Sequence, residues 1–337
     1  MPVNSVIVSS RAPIGYVTIN KVEMAANQGC KGIVPKAEVY HEFLYFSLLV
    51  ANQRLNDLGA GAGFKEISAS TLKAFLIPVS EYSEQQKIAD CLASLDDLIR
   101  AREAQLVALK DHKKGLMHQL FPREGETTPR LRFPEFRDAG EWEVCAIEEM
   151  AERIAQGGTP KTSVAGYWKG EIPWITPAEM GDDAAHHYTE RTLRTISVEG
   201  LQNSSAELLP VNSVIVSSRA PIGYVTINKV EMAANQGCKG IVPKAEVYHE
   251  FLYFSLLVAN QLLNDLGAGA GFKEISASTL KTFLIPVPEY SEQQKIADCL
   301  ASLDDLIRAR AARIEALKSY KRGLMQQLFP SIDGVRG

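Results

Sequence analysis

The chain has 337 residues, 46% hydrophobic and 23% charged, with a formal net charge of −4. This is enough apolar material for two ordinary globular domains plus some extended structure, and it excludes a disordered chain. It also argues against a nucleic-acid binder with a broadly basic surface, so any DNA contact must come from local basic tips and from partner chains. No run approaches the roughly 18 apolar residues of a membrane span, and Met1 to Ser5 carry no basic-then-apolar signal pattern. A cytoplasmic protein with no membrane partner is expected.

The first stretch of the chain is also its most informative. Pro2 to Arg102 recurs as Pro210 to Arg310, an offset of 208 (210 minus 2), with three differences in 101 positions. These are Arg54 against Leu262, Ala74 against Thr282 and Ser80 against Pro288. The period is far too long for a solenoid, so one module is used twice. Met1 stands where the second copy reads Leu209, and Gly140 to Leu209 has no counterpart before the first copy. Residues 1–82 are therefore expected to be a module lacking its front 70 or so residues, with apolar surface and sheet edge exposed. Of the five cysteines, Cys30 and Cys238 are repeat mates, as are Cys91 and Cys299, and Cys145 stands alone. None forms a Cys-x-x-Cys pair, which predicts reduced, unreactive thiols.

Next come residues 83–122, and their repeat 291–330. A Ser-x-x-Gln capping signal (Ser83 and Gln86; Ser291 and Gln294) opens a run without Gly or Pro until Gly115 or Gly323. Apolar residues alternate four and three apart at Ile88, Leu92, Leu95, Ile99, Leu106, Leu109, Leu116 and Leu120, with Arg102 and Lys113 in the two gaps. Ile296, Leu300, Leu303, Ile307, Ile314, Leu317, Leu324 and Leu328 repeat the pattern, with Arg310 and Lys321 in the gaps. So narrow a seam with charged flanks predicts two long coiled-coil helices, each about 55 Å, pairing with one another. Their second halves are basic, with Arg100, Lys110 and Lys114 in one and Arg308, Arg313, Lys318 and Arg322 in the other. That complements the helix dipole and offers a surface for phosphates or an acidic partner.

A linker, residues 123–140, leads to the complete module at 141–290, and residues 331–337 form a tail. Glu141 to Leu209 is acidic, with 5 Lys or Arg against 12 Asp or Glu. The module reads as mixed α and β. Ile172–Thr176, Val214–Ser217, Tyr224–Ile227 and Lys239–Val242 look like short strands, the second and third paired, and Tyr248 to Leu266 like one buried helix stopped by Gly267.

Between two of these strands, Ala220-Pro-Ile-Gly223 places Pro and Gly where a tight turn wants them. It lifts Arg219 to a tip beside Ser217 and Ser218, where an arginine could fork onto a guanine edge and a serine could bond a phosphate. An ordinary exposed Arg fits the fragment equally well. Gly157, Gly158, Thr159 and Lys161 form a loop that allows close backbone approach and supplies charge. Gln236 and Lys239 offer an amide and a cation just before a strand. Gly267 to Lys273 superficially resembles a phosphate loop but lacks its spacing, and a turn presenting Phe272 and Lys273 is the better reading. Motifs for metalloproteases, serine hydrolases, P-loop NTPases and amino-methyltransferases are absent from the sequence, so no catalytic residue is expected. His186 and His187 stand near Asp182 and Asp183, but adjacent histidines point apart, and no metal site is assigned.

Several of these stretches, taken in order, resemble the specificity subunits of type I restriction-modification systems. They are Gly157-Gly-Thr-Pro-Lys161, Trp168-Lys-Gly-Glu-Ile-Pro-Trp174, Asn235-Gln-Gly237, the Ile-Pro-Val-Pro-Glu run from Ile285, Glu292-Gln-Gln-Lys-Ile-Ala297 and Leu303-Asp-Asp-Leu-Ile307. Pro134-Glu-Phe-Arg137 followed by Glu141-Trp-Glu143 matches as well. The resemblance covers nearly the whole chain. It implies an α+β fold in which target-recognition domains are joined to two long antiparallel coiled-coil helices, each domain reading half of a bipartite DNA sequence. Gly157, Gly158, Thr159, Lys161, Trp174, Ser217, Ser218, Arg219, Gln236, Lys239 and Lys273 are the candidate DNA-binding residues. Leu92, Leu95, Ile99, Leu106 and Leu109 are expected to pair with Leu300, Leu303, Ile307, Ile314 and Leu317. The implied partners are double-stranded DNA, two modification (methyltransferase) subunits and a translocating restriction subunit, with self-association through the truncated N-terminal domain a further expectation. No cofactor belongs to the chain, because S-adenosylmethionine, ATP and Mg2+ go with the partner subunits. The competing reading is an assembly-only or inhibitory subunit that binds the modification subunits without reading DNA.

Overall fold

A computed structural model describes residues 1–58, 66–181, 183–266 and 274–330. Lys273, Phe272, Asp182 and the tail 331–337 lie outside the described residues. The chain divides into two compact units, Met1–Gln105 with Ala311–Gly337 and Leu106–Arg310. The division by packing thus cuts across both long helices, and each module is grouped with half of each helix.

In the first unit, β1 (Val6–Ser9), β2 (Val17–Ile19) and β3 (Cys30–Ile33) form an antiparallel sheet in the order β2-β1-β3. Helices α1 (His41–Val50), α2 (Asn52–Leu58) and α3 (Ala69–Lys73) follow. The sheet packs on α1 and α2 through Val6, Val8, Ile14, Leu44, Leu48 and Leu55. The other side of α1 presents Phe43 and Phe46 to Ile88, Ala89 and Leu92 of α4 (Tyr82–Leu120) and to Phe329 just past α10 (Tyr290–Leu328).

The second unit contains the same arrangement in a larger module. It begins with β4 (Glu143–Ala146), α5 (Ile147–Met150) and β5 (Ala151–Gln156). Next come β6 (Trp168–Ile175), β7 (Tyr188–Thr189), β8 (Thr195–Ile196) and α6 (Val198–Gln202). The repeated part supplies β9 (Val214–Ser217), β10 (Val225–Asn228), β11 (Ala233–Ala234) and β12 (Cys238–Pro243). It ends with α7 (His249–Val258), α8 (Asn260–Leu266), α9 (Ala277–Lys281) and β13 (Leu284–Val287). The main sheet has the order β5-β12-β9-β10-β7, and smaller sheets run β11-β6-β8 and β13-β4. Val214, Val216, Val225, Ile227 and Ile241 point into one core with Phe251, Leu252 and Phe254 of α7, as period-two strands against a helix require.

Three details depart from the sequence expectation. The predicted helix from Tyr248 breaks at Ala259, and the side-chain amides of Asn260 and Asn264 there donate to Gly223 O (2.7 Å) and Ile222 O (3.1 Å). Gly223 has φ of +82°, so a glycine is needed where the turn meets that amide. The long helices start at Tyr82 and Tyr290, so Ser83 and Ser291 lie inside them and cap nothing. The buried amides of Gln85 and Gln293 secure the helix starts instead: Gln85 Oε1 accepts from Tyr40 N (2.9 Å) while its Nε2 donates to Ser80 O (2.8 Å). Gln293 does the same with Tyr248 N (2.9 Å) and Pro288 O (3.0 Å).

Third, Arg102 and Arg310 are exposed rather than in the seam. Glu103, one residue on, meets Lys318 at 2.9 Å. Leu92, Ile99, Leu300, Ile307 and Ile314 are buried, and Leu95, Leu106, Leu109, Leu303 and Leu317 are half-buried. Lys113 and Lys321 do occupy the seam. In the second unit Lys113 Nζ meets Asp304 Oδ1 at 2.5 Å, and in the first Lys321 Nζ meets Asp96 Oδ1 at 2.5 Å. In the first unit Asp96 pairs with Lys321 and Glu103 with Lys318, so numbers rise along one helix segment as they fall along the other and the two run antiparallel. Asp96 and Asp304 are repeat mates, as are Lys113 and Lys321, so one ion pair is made twice. A charged pair at a seam position defines register, because a slipped pairing would strand both charges.

His187 lies beside Asp304 and is fully buried between Tyr188 and Tyr253, with ring centroids 4.1 and 4.2 Å away and planes within 9° of parallel. Burial lowers its pKa; Asp304, whose Oδ2 is 3.4 Å from Nδ1, and Glu250 oppose the shift, and Lys113 adds to it. The folded state thus binds the proton less readily than the unfolded state, whose imidazole titrates near 6.5, so stability is lost as pH falls through and below about 6.5. Denaturant titrations from pH 7.5 to 5 should show wild type losing stability at up to about 1.4 kcal/mol per pH unit, with His187→Phe flattening that limb. Parallel profiles would refute the assignment.

Candidate nucleic-acid interface

The candidate residues fall into a buried frame and an exposed strip. Gly157 and Gly158, at the end of β5, pass directly against backbone: a Cβ on Gly157 would lie 1.8 Å from Asn235 O, and one on Gly158 2.2 Å from Ala206 N. These glycines are therefore required by close packing within the module. Trp174 is buried in β6, and its indole N–H donates to Gly158 O at 2.9 Å. Ser217 is buried too, donating to Pro221 O (2.6 Å) and accepting from Tyr224 N (2.9 Å), so it closes the turn. Ser218 is buried beside it. Lys239 is largely buried, its Nζ 3.5 Å from Gln236 O, and desolvation lowers its pKa against the pull of Glu274. Burial takes these six away from direct contact with a base or phosphate and leaves them as the support of the others.

The exposed strip can be followed bond by bond. Arg219 N donates to Gly237 O (3.3 Å), next to Gln236. The Gln236 side chain accepts from the Thr159 hydroxyl, which in turn accepts from Asn235 Nδ2 at 3.1 Å. Two residues on, the carbonyl of exposed Lys161 accepts from Trp168 Nε1 at 3.3 Å. Trp168 sits edge-on to Trp174 at 5.2 Å and carries the Arg194 guanidinium 3.6 Å over its ring. Thr159, Lys161, Arg194, Arg219 and Gln236 thus line one surface, presenting an arginine at either end and an amide between. Arg219 is paired with Glu274 at 3.0 Å, as Arg11 is with Glu66 at 3.1 Å in the first unit. A ligand phosphate or guanine edge would have to compete with that carboxylate.

Arg194 was not legible as a site residue. Its only signal is that Arg191 and Arg194 are the sole Lys or Arg between Glu171 and Leu209. Leu193 between them is 88% exposed, so this loop projects from the surface. His186 pairs with Asp183 (2.7 Å) while His187 is buried, and among the described residues no group of three His, Cys, Asp or Glu is placed to hold a metal. No helix among the described residues is long and apolar enough to cross a membrane.

Among the described residues, the second unit is a mixed sheet-and-helix module that packs on segments of both long helices and carries the exposed polar strip. The family model for the type I restriction modification DNA specificity domain matches residues 1–110 and 139–319, and the chain belongs to that family. Over 191 residues it is 38% identical to the type I restriction enzyme MjaIX specificity subunit of Methanocaldococcus jannaschii, covering 56% of this chain and 44% of the relative. It is 30% identical over 162 residues to the EcoR124I/EcoR124II specificity subunit of Escherichia coli, covering 44% and 38%. The chain thus spans about half or less of these relatives' length. In fold it is similar to the type I restriction-modification S subunit of M. genitalium, with a TM-score of 0.64 at 16% identity over 98% of this chain and 84% of that one.

Proposed function

We propose that the chain is a non-catalytic DNA-recognition and scaffold subunit of a type I restriction-modification complex. Residues 141–290 read a target half-site, and the paired helices hold the modification and restriction subunits in place. S-adenosylmethionine, ATP and Mg2+ belong to those partners. The observation that carries this reading is the strip Arg219, Gln236, Thr159, Lys161 and Arg194, its exposed polar groups fixed by buried glycines and tryptophan. Arg219 and Gln236 have the donors and acceptors that read base edges, and Lys161 supplies a phosphate contact. The net charge of −4 and the carboxylate on Arg219 favour the second reading, an assembly-only subunit that binds the modification subunits and leaves DNA alone.

Binding measurements with the modification subunit present separate the two. Arg219→Ala should weaken the preferred duplex by about 1–3 kcal/mol and relax its base preference, while Lys161→Ala should weaken preferred and random duplexes alike and reduce the salt slope by about 1. If neither variant alters DNA affinity although the protein complex forms, the assembly-only reading stands.

A further inference from the structure

Leu193, in the loop from Glu190 to Arg194 between β7 and β8, is 88% exposed, more than any other large apolar side chain among the described residues. A single surface leucine ordinarily calls for no explanation. This one is held out by a braced loop. Leu193 N donates to Glu179 Oε1 at 2.6 Å, and the other oxygen of that carboxylate accepts from Thr176 N (3.1 Å) and from the Thr176 hydroxyl (2.8 Å). Thr192 Oγ1 accepts from Trp174 N at 3.0 Å and donates to Arg194 O at 2.6 Å, and Arg194 O also accepts from Trp174 N at 3.1 Å. Trp174 is the buried residue whose indole N–H bonds Gly158 O, next to Thr159 of the exposed strip. One buried tryptophan therefore braces both the leucine's loop and the strip.

The loop's chemistry suits one kind of ligand. Arg191 and Arg194, both exposed, flank Leu193 in a stretch from Glu171 to Leu209 that holds no other Lys or Arg, and Glu190 is the loop's single acid. The Arg194 guanidinium is set 3.6 Å over the Trp168 ring. An apolar tip between two cations matches a ligand with an anionic rim and an apolar stacked interior, which is a nucleic-acid duplex. A protein partner would call for a contiguous apolar patch around the leucine, whereas the loop offers Thr192 and two arginines.

We propose that Leu193 is a wedge that enters the base stack of the bound duplex, opening one base step and kinking the DNA while Arg191 and Arg194 hold phosphates on either side. The inference rests on the reading of residues 141–290 as a DNA-recognition module and adds a second source of specificity to it. Arg219 and Gln236 read base edges by hydrogen bonds, whereas a wedge reads how readily a step unstacks. Pyrimidine–purine steps unstack most easily, so the preferred target carries one at a position that no donor or acceptor of the strip contacts. A braced loop serves this purpose because the wedge loses little freedom when it inserts.

The test uses the full chain with a type I modification subunit and the duplex they prefer, carrying the fluorescent base 2-aminopurine at successive positions and a donor–acceptor dye pair at its ends. Wild type should raise the emission at one base step by at least about twofold, by unstacking it, and should shorten the end-to-end distance. Leu193→Ala should abolish both changes and weaken binding by about tenfold, while Leu193→Phe, which is also a wedge, keeps them. The side chain is exposed, so the Ala variant should melt as wild type does. Any distortion made by the modification subunit is common to all the variants. A mismatch at the opened step should tighten wild type and leave Leu193→Ala unchanged. The inference is overturned if Leu193→Ala keeps the emission change and the affinity while Arg219→Ala still loses base preference, a result that leaves the DNA reading intact. It is also overturned if Leu193→Ala loosens the modification subunit and not the duplex, which would make the leucine a protein contact. A wild-type complex that prefers no duplex would overturn both this inference and the reading beneath it.

Discussion

Asp304→Ala is expected to destabilise the second unit by roughly 3–5 kcal/mol, the cost of leaving a buried ammonium without its counter-ion. Lys113 is 10% exposed and Asp304 0%, at 2.5 Å. Burial already pulls the Lys113 pKa below its usual value, with Asp304 the main group opposing that shift. The Phe254 ring, 5.0 Å from Nζ, is too weak a partner to replace a carboxylate. Replacing both residues by leucine should recover most of the loss, because it removes the charges along with their desolvation cost. The repeat supplies a control: Asp96→Ala should cost clearly less, since the Asp96 side chain is 33% exposed and water can screen Lys321. Urea titrations of the three variants measure this, and an Asp304→Ala loss below about 1 kcal/mol would show that Lys113 finds water instead.

Arg132→Ala should have a comparable effect. Arg132 Nε and Nη2 each reach a different oxygen of Glu292 at 2.7 Å, and Nη1 donates to Ala139 O (2.6 Å) and Gly140 O (2.9 Å). The Glu292 side chain is 1% exposed, so truncating the arginine strands a buried carboxylate at the start of α10, at a cost of roughly 3 kcal/mol or more. Arg132→Lys should not restore it, because a single ammonium reproduces neither the two-point bond nor the reach to the linker carbonyls. The linker should also become more open to proteolysis near Gly140 in both variants. A Lys variant as stable as wild type would contradict the two-point account.

Much of this was readable in the sequence because it is local or repeated. The four short strands, the long helices and the seam positions of Lys113 and Lys321 follow from periodicity. The double use of one module follows from the repeat. What escaped depends on contacts made far along the chain. Gln85 and Gln293 matter because they hold the starts of α1 and α7, 45 residues earlier in each case. Arg132 matters because it meets a carboxylate 160 residues later. The glycines of 157–158 looked like an approach for a ligand, whereas they make room for the module's own backbone. Arg194 is a candidate because it lies over the Trp168 ring, a contact that no local pattern in the sequence carries.

Sequence reading by residues 141–290 can be measured by selection. The chain is mixed with a type I modification subunit, the proposed partner, and a randomised duplex library at moderate salt, and the bound DNA is sequenced. Enrichment of a single half-site is expected for the 337-residue chain, and its loss in Arg219→Ala. A stable protein complex that enriches no sequence would contradict that reading.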